Sequence, residues 1–343
     1  MSRRSLTLLL AAAGTIAAIA VGVFVPVPYV ILGPGPTLNT LGESGGKPLI
    51  SISGHATYPA SGHLNMVTVS YEGGPGDNLN IFTALAAWLN PHEAVVPESE
   101  LFPAGQTAQQ SQQQDTVEMT DSQQTATAAA LTQLHIPFKT EVEVVLAEQG
   151  YPAYGVLKSG DVITAVDGKP VSSPTGLQNL IYAHQAGSTL TVTIQRGGQT
   201  KQVQVGTKEV SGHPVMGVEI TGQYKFPFTV NISVGDIGGP SAGMMFALGI
   251  IDKLTGLNLT GGRFIAGTGE ITQGGQVQPI GGIQQKMVGA RDAGATIFLT
   301  PASNCSDTTG AVPAGLRLVK VSTLSQAVTY LEDIKAGRPV PSC

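Results

Sequence analysis

Apolar and polar positions change their spacing several times along this 343-residue chain, and each change marks an element. Residues 6–25 run without a charged side chain. At ~1.5 Å per residue such a helix crosses ~30 Å of hydrocarbon. Residues 49–53 and 62–70 read as strands, and 81–89 as a short helix. Residues 97–124 are Gln- and Ser-rich and polar, which predicts a mobile or weakly packed connection, and Ala-rich 125–134 predicts a helix. Residues 161–166 alternate and end in the turn pair Asp167-Gly168. A short helix over 177–184 follows, then strands over 190–196 and 200–205 joined by Gly197-Gly198. The last third predicts strands at 216–220, 228–233, 264–267, 296–299 and 316–321, a buried helix at 241–254, and a closing helix at 324–334. Mixed elements in this order predict an α+β fold with a mixed sheet.

One helix breaks the rule that core faces are apolar. Ile283, Lys286, Met287 and Ala290 fall at i, i+3, i+4 and i+7, one stripe. Lysine thus stands where a core residue belongs, although Lys is ordinarily a solvated surface residue. Upstream, Asp236-Ile237-Gly238-Gly239-Pro240-Ser241-Ala242-Gly243 leads into an apolar run and puts Ser241 at the mouth of a helix. Ser there is also an ordinary helix cap. A serine hydroxyl becomes nucleophilic when a base takes its proton. Burial favours the neutral amine that makes Lys such a base. The pair therefore predicts a Ser–Lys hydrolase. Gly239-Pro240-Ser241-Ala242-Gly243 also fits the G-x-S-x-G nucleophile elbow, but that fold needs a histidine after its serine. The last histidine here is His213. A His–Asp–Ser order through His184 or His213 stays formally open.

Three segments resemble the proteolytic domain of Lon proteases: Gly239-Pro240-Ser241-Ala242-Gly243, Thr268-Gly269-Glu270-Ile271-Thr272, and Pro279-Ile280-Gly281-Gly282 through Lys286. The resemblance implies Ser241 as nucleophile, Lys286 as general base, and Thr268 as a residue that helps orient the lysine, with Gly239, Pro240 and Ala242 framing the serine. In that family Asp directly precedes the Gly-Pro-Ser-Ala-Gly motif. Here Gly238 stands there and Asp236 lies two residues further upstream. Lon-like domains often form rings, which allows a homo-oligomer. Lon proteases also carry an ATPase, yet this chain has no G-x-x-x-x-G-K-[ST] loop to cradle phosphates. The expectation is an ATP-independent endopeptidase acting on unfolded or flexible polypeptides, with no nucleotide and no cofactor.

The segment from Tyr154-Gly155-Val156-Leu157-Lys158-Ser159-Gly160-Asp161 to Pro170-Val171 resembles a bacterial PDZ domain. Such domains capture extended peptides by strand addition. The loop 149–155, with Gly150, Tyr151 and Gly155, is expected at the groove rim; a plain β spacer is the bland alternative. Residues 29–90 resemble the membrane-proximal part of anchored PDZ–Lon-like proteins of Gram-positive bacteria and actinobacteria. The organisation expected is a cytoplasmic tip and transmembrane anchor over 1–30, a membrane-proximal segment over 31–136, a PDZ domain over 137–208, a Lon-like proteolytic domain over 215–335 and a tail over 336–343. The membrane-proximal segment is expected to pack against the proteolytic domain.

Arg3 and Arg4 precede the apolar run, which keeps the N-terminus in the cytoplasm and exports the rest. Ala18-Ile19-Ala20 has the small-x-small form of a cleavage site, so a signal peptide is the rival of a single-pass anchor in the cell membrane. Either way the catalytic part lies outside the cytoplasm. There Cys305 and Cys343, the only cysteines, are expected to form a disulfide rather than two thiols. Net charge is −5 and 12% of residues are charged, with no basic patch, which argues against nucleic acid as a partner. His55, His63 and His92 lack ligand spacing, and no metal is expected. The partners expected are polypeptide substrates and the lipid membrane. A different class of function stays open: a PDZ scaffold carrying a catalytically silent Lon fold.

Overall fold

A computed structural model describes residues 3–171 and 173–343. Met1 and Ser2, the tip of the expected anchor, and Ser172 lie outside the described residues. The chain divides into two compact units. One combines Met1–His135 with Phe228–Cys343; the other is Ile136–Pro227. The smaller unit is an insertion within the larger.

The larger unit is built on a six-stranded mixed sheet in the order Arg317–Val321, Ile297–Pro301, Phe264–Gly267, His63–Gly73, Tyr29–Asn39, Ala94–Pro97. The first four are mutually parallel. Tyr29–Asn39 runs antiparallel to both neighbours. The segment 31–136 therefore does more than pack against the proteolytic part: it contributes three strands to the same sheet. Thr229–Ile232 pairs with Ile50–Ser53 in a second tie between the two halves. Residues 216–220, expected as a strand of the proteolytic domain, belong elsewhere. Val218–Lys225 pairs with Lys139–Ala147 in the smaller unit.

Two helices carry the motif residues. Gly243–Thr255 has apolar side chains all round and is buried over nearly its whole length, the pattern of a central core helix. It ends at Gly256 in the left-handed conformation. Ile283–Asp292 lies on Tyr29–Asn39 and His63–Gly73. Its Ile283, Met287 and Ala290 enter a core with Val67, Ala266 and Phe298.

The polar segment 97–124 is not a connection. After a short turn of helix at Glu98–Leu101, the chain forms the 26-residue helix Ala108–Gln133. Thr107 and Gln110 cap it reciprocally. Gln is a good helix former. One stripe of the helix, Met119, Ser122, Ala126 and Ala130, is buried, and the helix packs against Gly243–Thr255. Tertiary packing decides where the surface composition suggests a loop.

The N-terminal helix Arg3–Phe24 is long and apolar enough to span a bilayer, and none of its residues is buried in the protein. At the other end, Cys305 and Cys343 are bonded and hold the C-terminal tail, whose Pro341 carbonyl accepts from the Lys320 amide.

The smaller unit is a five-strand sheet path, Gln199–Gly206, Thr189–Arg196, Val162–Val166, Lys139–Ala147, Val218–Lys225, with the helix Pro174–Tyr182 against it. That helix starts three residues earlier than its apolar period suggests. Ser173 caps it and Pro174 occupies its first turn. Asp161 is buried and forms a two-pronged ion pair with Arg196, which holds its carboxyl below the usual range although burial alone would raise it.

Candidate active site

Gly238 to Ala242 form a turn that delivers Ser241 to the head of the Gly243–Thr255 helix. The turn is clamped from two sides. From one side, the Gly269 amide and the Thr268 hydroxyl both donate to the Ser241 carbonyl, at 2.8 and 3.0 Å. From the other, the long polar helix holds the preceding residues. The Gly239 amide donates to the Asp115 carbonyl at 3.1 Å, and the Ser122 hydroxyl donates to the Pro240 carbonyl at 2.9 Å. Gly239 has φ +86°, which L side chains adopt only with strain. A Cβ on Gly238 would lie 2.4 Å from that of Asp115. These two glycines let the helix close on the turn.

Lys286 reaches the turn from the facing helix. Its Nζ lies 2.9 Å from Ser241 Oγ, and the residue is 4% exposed. Burial pushes its amine down to about 8, while the Glu270 carboxylate pulls it partly back up. Gln285, the residue before Lys286 on the same helix, is also buried. Thr268 does not hydrogen-bond the lysine. Its hydroxyl goes to the Ser241 main chain, so it acts on the geometry of the turn.

Both side chains open into a cleft of about 480 Å³, which Gly239, Pro240 and Ala242 also line. Four carboxylates edge this cleft: Asp115, Glu118, Asp236 and Glu270. Burial raises Asp115 and Glu270, and Glu118 raises both further. Tyr71, from the strand His63–Gly73, is largely exposed, yet its hydroxyl is raised by partial desolvation against the cleft and by Asp115 and Glu118. Sequence reading missed Asp115, Glu118, Ser122 and Tyr71. The legible signal was faint: Asp115, Met119, Ser122 and Ala126 recur at helical spacing within the Gln-rich stretch.

The smaller unit has its own pocket, of about 440 Å³, between the helix Pro174–Tyr182 and the strand Val218–Lys225. Leu177, Ile181, Met216 and Ile220 supply its apolar lining. That strand ends the sheet path, so among the described residues its outer edge has no strand partner. Of the three expected rim residues, Tyr151 lines this pocket and Gly150 and Gly155 do not. The groove is set by a strand C-terminal to the segment in which the rim was sought.

Two family models match the chain: PDZ domain over residues 111–207, and Lon protease (S16) C-terminal proteolytic domain over residues 230–332. Lon protease 1 of Bacillus subtilis (strain 168) is 32% identical over 120 residues, 34% of this chain and 15% of that protein. Lon protease of Neorickettsia sennetsu (strain ATCC VR-367 / Miyayama) is 37% identical over 106 residues, 30% of this chain and 12% of that protein. The chain thus spans only about an eighth of these relatives. A solved PDZ domain of the SdrC-like protein from Listeria innocua aligns with 24% identity and TM-score 0.23, over 23% of this chain and 92% of that one. The similarity to the Lon-type proteolytic domain thus falls in the larger unit, and the similarity to the PDZ domain falls mostly in the smaller one. The Lon-type match begins at residue 230, just past the insertion, while the first half of the same compact unit lies before it.

Proposed function

We propose that the chain is a membrane-anchored serine endopeptidase that works without ATP on unfolded or flexible polypeptides outside the cytoplasm. The observation that carries this reading is the 2.9 Å approach of a buried lysine amine to the Ser241 hydroxyl. In the neutral form, Lys286 takes the Ser241 proton as Oγ attacks a peptide carbonyl. The tetrahedral oxyanion is stabilised by main-chain amides at the head of the Gly243–Thr255 helix, where the helix dipole favours negative charge. Lys286 then gives its proton to the leaving amine. Water attacks the acyl ester as the neutral lysine takes its proton, and that proton passes to Oγ as the ester C–O bond breaks, freeing the acid product, Ser241 and the neutral amine.

Thr268, Gly269 and Ser122 hold the turn so that Oγ stays within reach of the amine. The apolar groove beside Val218–Lys225, the strand that ends the sheet path among the described residues, offers an extended peptide a place to add alongside and side-chain pockets, the strand-addition mode of recognition. The apolar N-terminal helix with Arg3 and Arg4 at its start supports an anchor with the rest of the chain exported.

The test is cleavage of an unfolded polypeptide by the intact chain, by Ser241→Ala and by Lys286→Ala, each with and without ATP. Cleavage by the intact chain alone, unchanged by ATP, is expected. Cleavage by Ser241→Ala would overturn the assignment. An intact chain inert at every pH would favour the scaffold reading.

A further inference from the structure

The short helix Ile81–Trp88 is built inside out. Its small residues, Ala84 and Ala87, are buried against Ile31 and Leu79, a satellite core of the larger unit. Its large residues point away. Ile81, Phe82, Leu85, Trp88 and Leu89 are between 44% and 71% exposed. Ile81, Leu85, Trp88 and Leu89 fall at i, i+4, i+7 and i+8 and form one stripe, with Phe82 at its edge. A helix on a water-facing surface shows the opposite arrangement. No Asp, Glu, Lys or Arg occurs from residue 78 to residue 92.

The place of this helix says what covers it. It begins where the membrane-length helix ends. Pro26 bridges Asn80, the N-cap of the short helix, and the Val27 amide donates to the Leu79 carbonyl at 2.8 Å. Phe82 packs on the last turn of the membrane-length helix. A Cβ on Gly22 would lie 2.7 Å from the Phe82 ring, so that glycine makes room for it. Gly22 is two residues inside the end of Arg3–Phe24. A side chain at the depth of Gly22 is at the depth of the span's own last turn. The apolar stripe is thereby continuous with a surface that already faces acyl chains, and a Trp at its end suits the boundary between acyl chains and headgroups.

We propose that Ile81–Leu89 is a second membrane contact, lying in the interfacial layer of the leaflet from which the chain emerges, and that it sets the larger unit against the bilayer surface. The inference rests on the reading of Arg3–Phe24 as a membrane anchor. Lacking charge, the stripe binds by apolar burial and does not depend on anionic lipid.

Trp88 is the only tryptophan in the chain, so its fluorescence reports this face alone. The full-length chain is reconstituted into phosphatidylcholine vesicles, with and without acyl chains brominated near the headgroup end, and washed with alkaline carbonate. The expected result is a chain that resists the wash, with blue-shifted Trp88 emission, most of it lost in brominated vesicles and little of it lost to aqueous iodide. Adding phosphatidylglycerol leaves these values unchanged. Leu85→Glu resists the wash equally but loses the blue shift and the bromine quenching. A wash-resistant chain whose Trp88 is quenched by iodide and not by bromine overturns the proposal. So does one shielded from both, which would put a second copy or another protein on this face. Unchanged bromine quenching in Leu85→Glu also contradicts it. A chain released by the wash removes the anchor itself, and this inference with it.

Discussion

The Lys286 amine, with 4% exposure, is pushed by burial toward the neutral form it avoids in water. Its value of about 8 against an ordinary 10.5 corresponds to about 3 kcal/mol of disfavour for the charged form. Activity is therefore expected to climb through pH about 8 and level off above it. Glu270 pulls Lys286 upward, so Glu270→Gln should move the acid limb of the pH–kcat/KM profile to lower pH. A profile that stays put or moves up would remove Glu270 from the electrostatics of the dyad.

The same amine weakens the fold. Because the folded value is depressed, the unfolded chain binds more protons between pH about 8 and 10.5, and stability rises with pH across that window. Below it the whole penalty is present. Lys286→Met should thus be inactive yet more stable at pH 7, by about 1–3 kcal/mol in chemical denaturation, and the gain should shrink toward pH 10. An equal or lower stability at pH 7 would mean that the amine is not desolvated in the fold.

At the scale of elements, the long helix Ala108–Gln133 matters more than its composition suggests. It is a wall of the cleft, and it holds the serine turn through Asp115 and Ser122. Ser122→Ala leaves the Pro240 carbonyl without its donor. The expected cost is about 1–3 kcal/mol of stability. In the proposed mechanism Ser241 then loses positioning while substrate contacts stay, so kcat should fall about tenfold, equivalent to about 1.4 kcal/mol, with KM nearly unchanged. A rise in KM at constant kcat would instead assign Ser122 to substrate binding.

What was legible in the sequence follows from how local each signal is. The stripe Ile283, Lys286, Met287, Ala290 is a property of one helix, and all four residues are buried. Ser241 stands in a contiguous motif, and the structure brings it to Lys286. The Gln-rich helix was illegible because burial of Met119, Ser122 and Ala126 is imposed by a partner helix more than a hundred residues away. The pairing of His63–Gly73 with Phe264–Gly267 spans about two hundred residues, and no local period can report it. Likewise the pocket of the smaller unit needs Val218–Lys225, which enters the smaller sheet from the far end of the insertion.

For the whole molecule, the consequence is one compact unit interrupted by an inserted unit with its own core. Two cores predict two thermal transitions. Leu177 is fully buried in the core of the insertion. Leu177→Ala removes about 2–5 kcal/mol there, so in calorimetry one transition should fall while the other stays. A single transition shifted as a whole would show that the units unfold as one.

The most direct test of the account is covalent. A peptide boronate or fluorophosphonate is offered to the intact chain and to Lys286→Met across pH 6 to 10, and the adduct is located by mass spectrometry. The account predicts modification at Ser241 in the intact chain, with a rate that rises through pH about 8, and almost none in the variant. Equal labelling of both proteins, without dependence on pH, would contradict it.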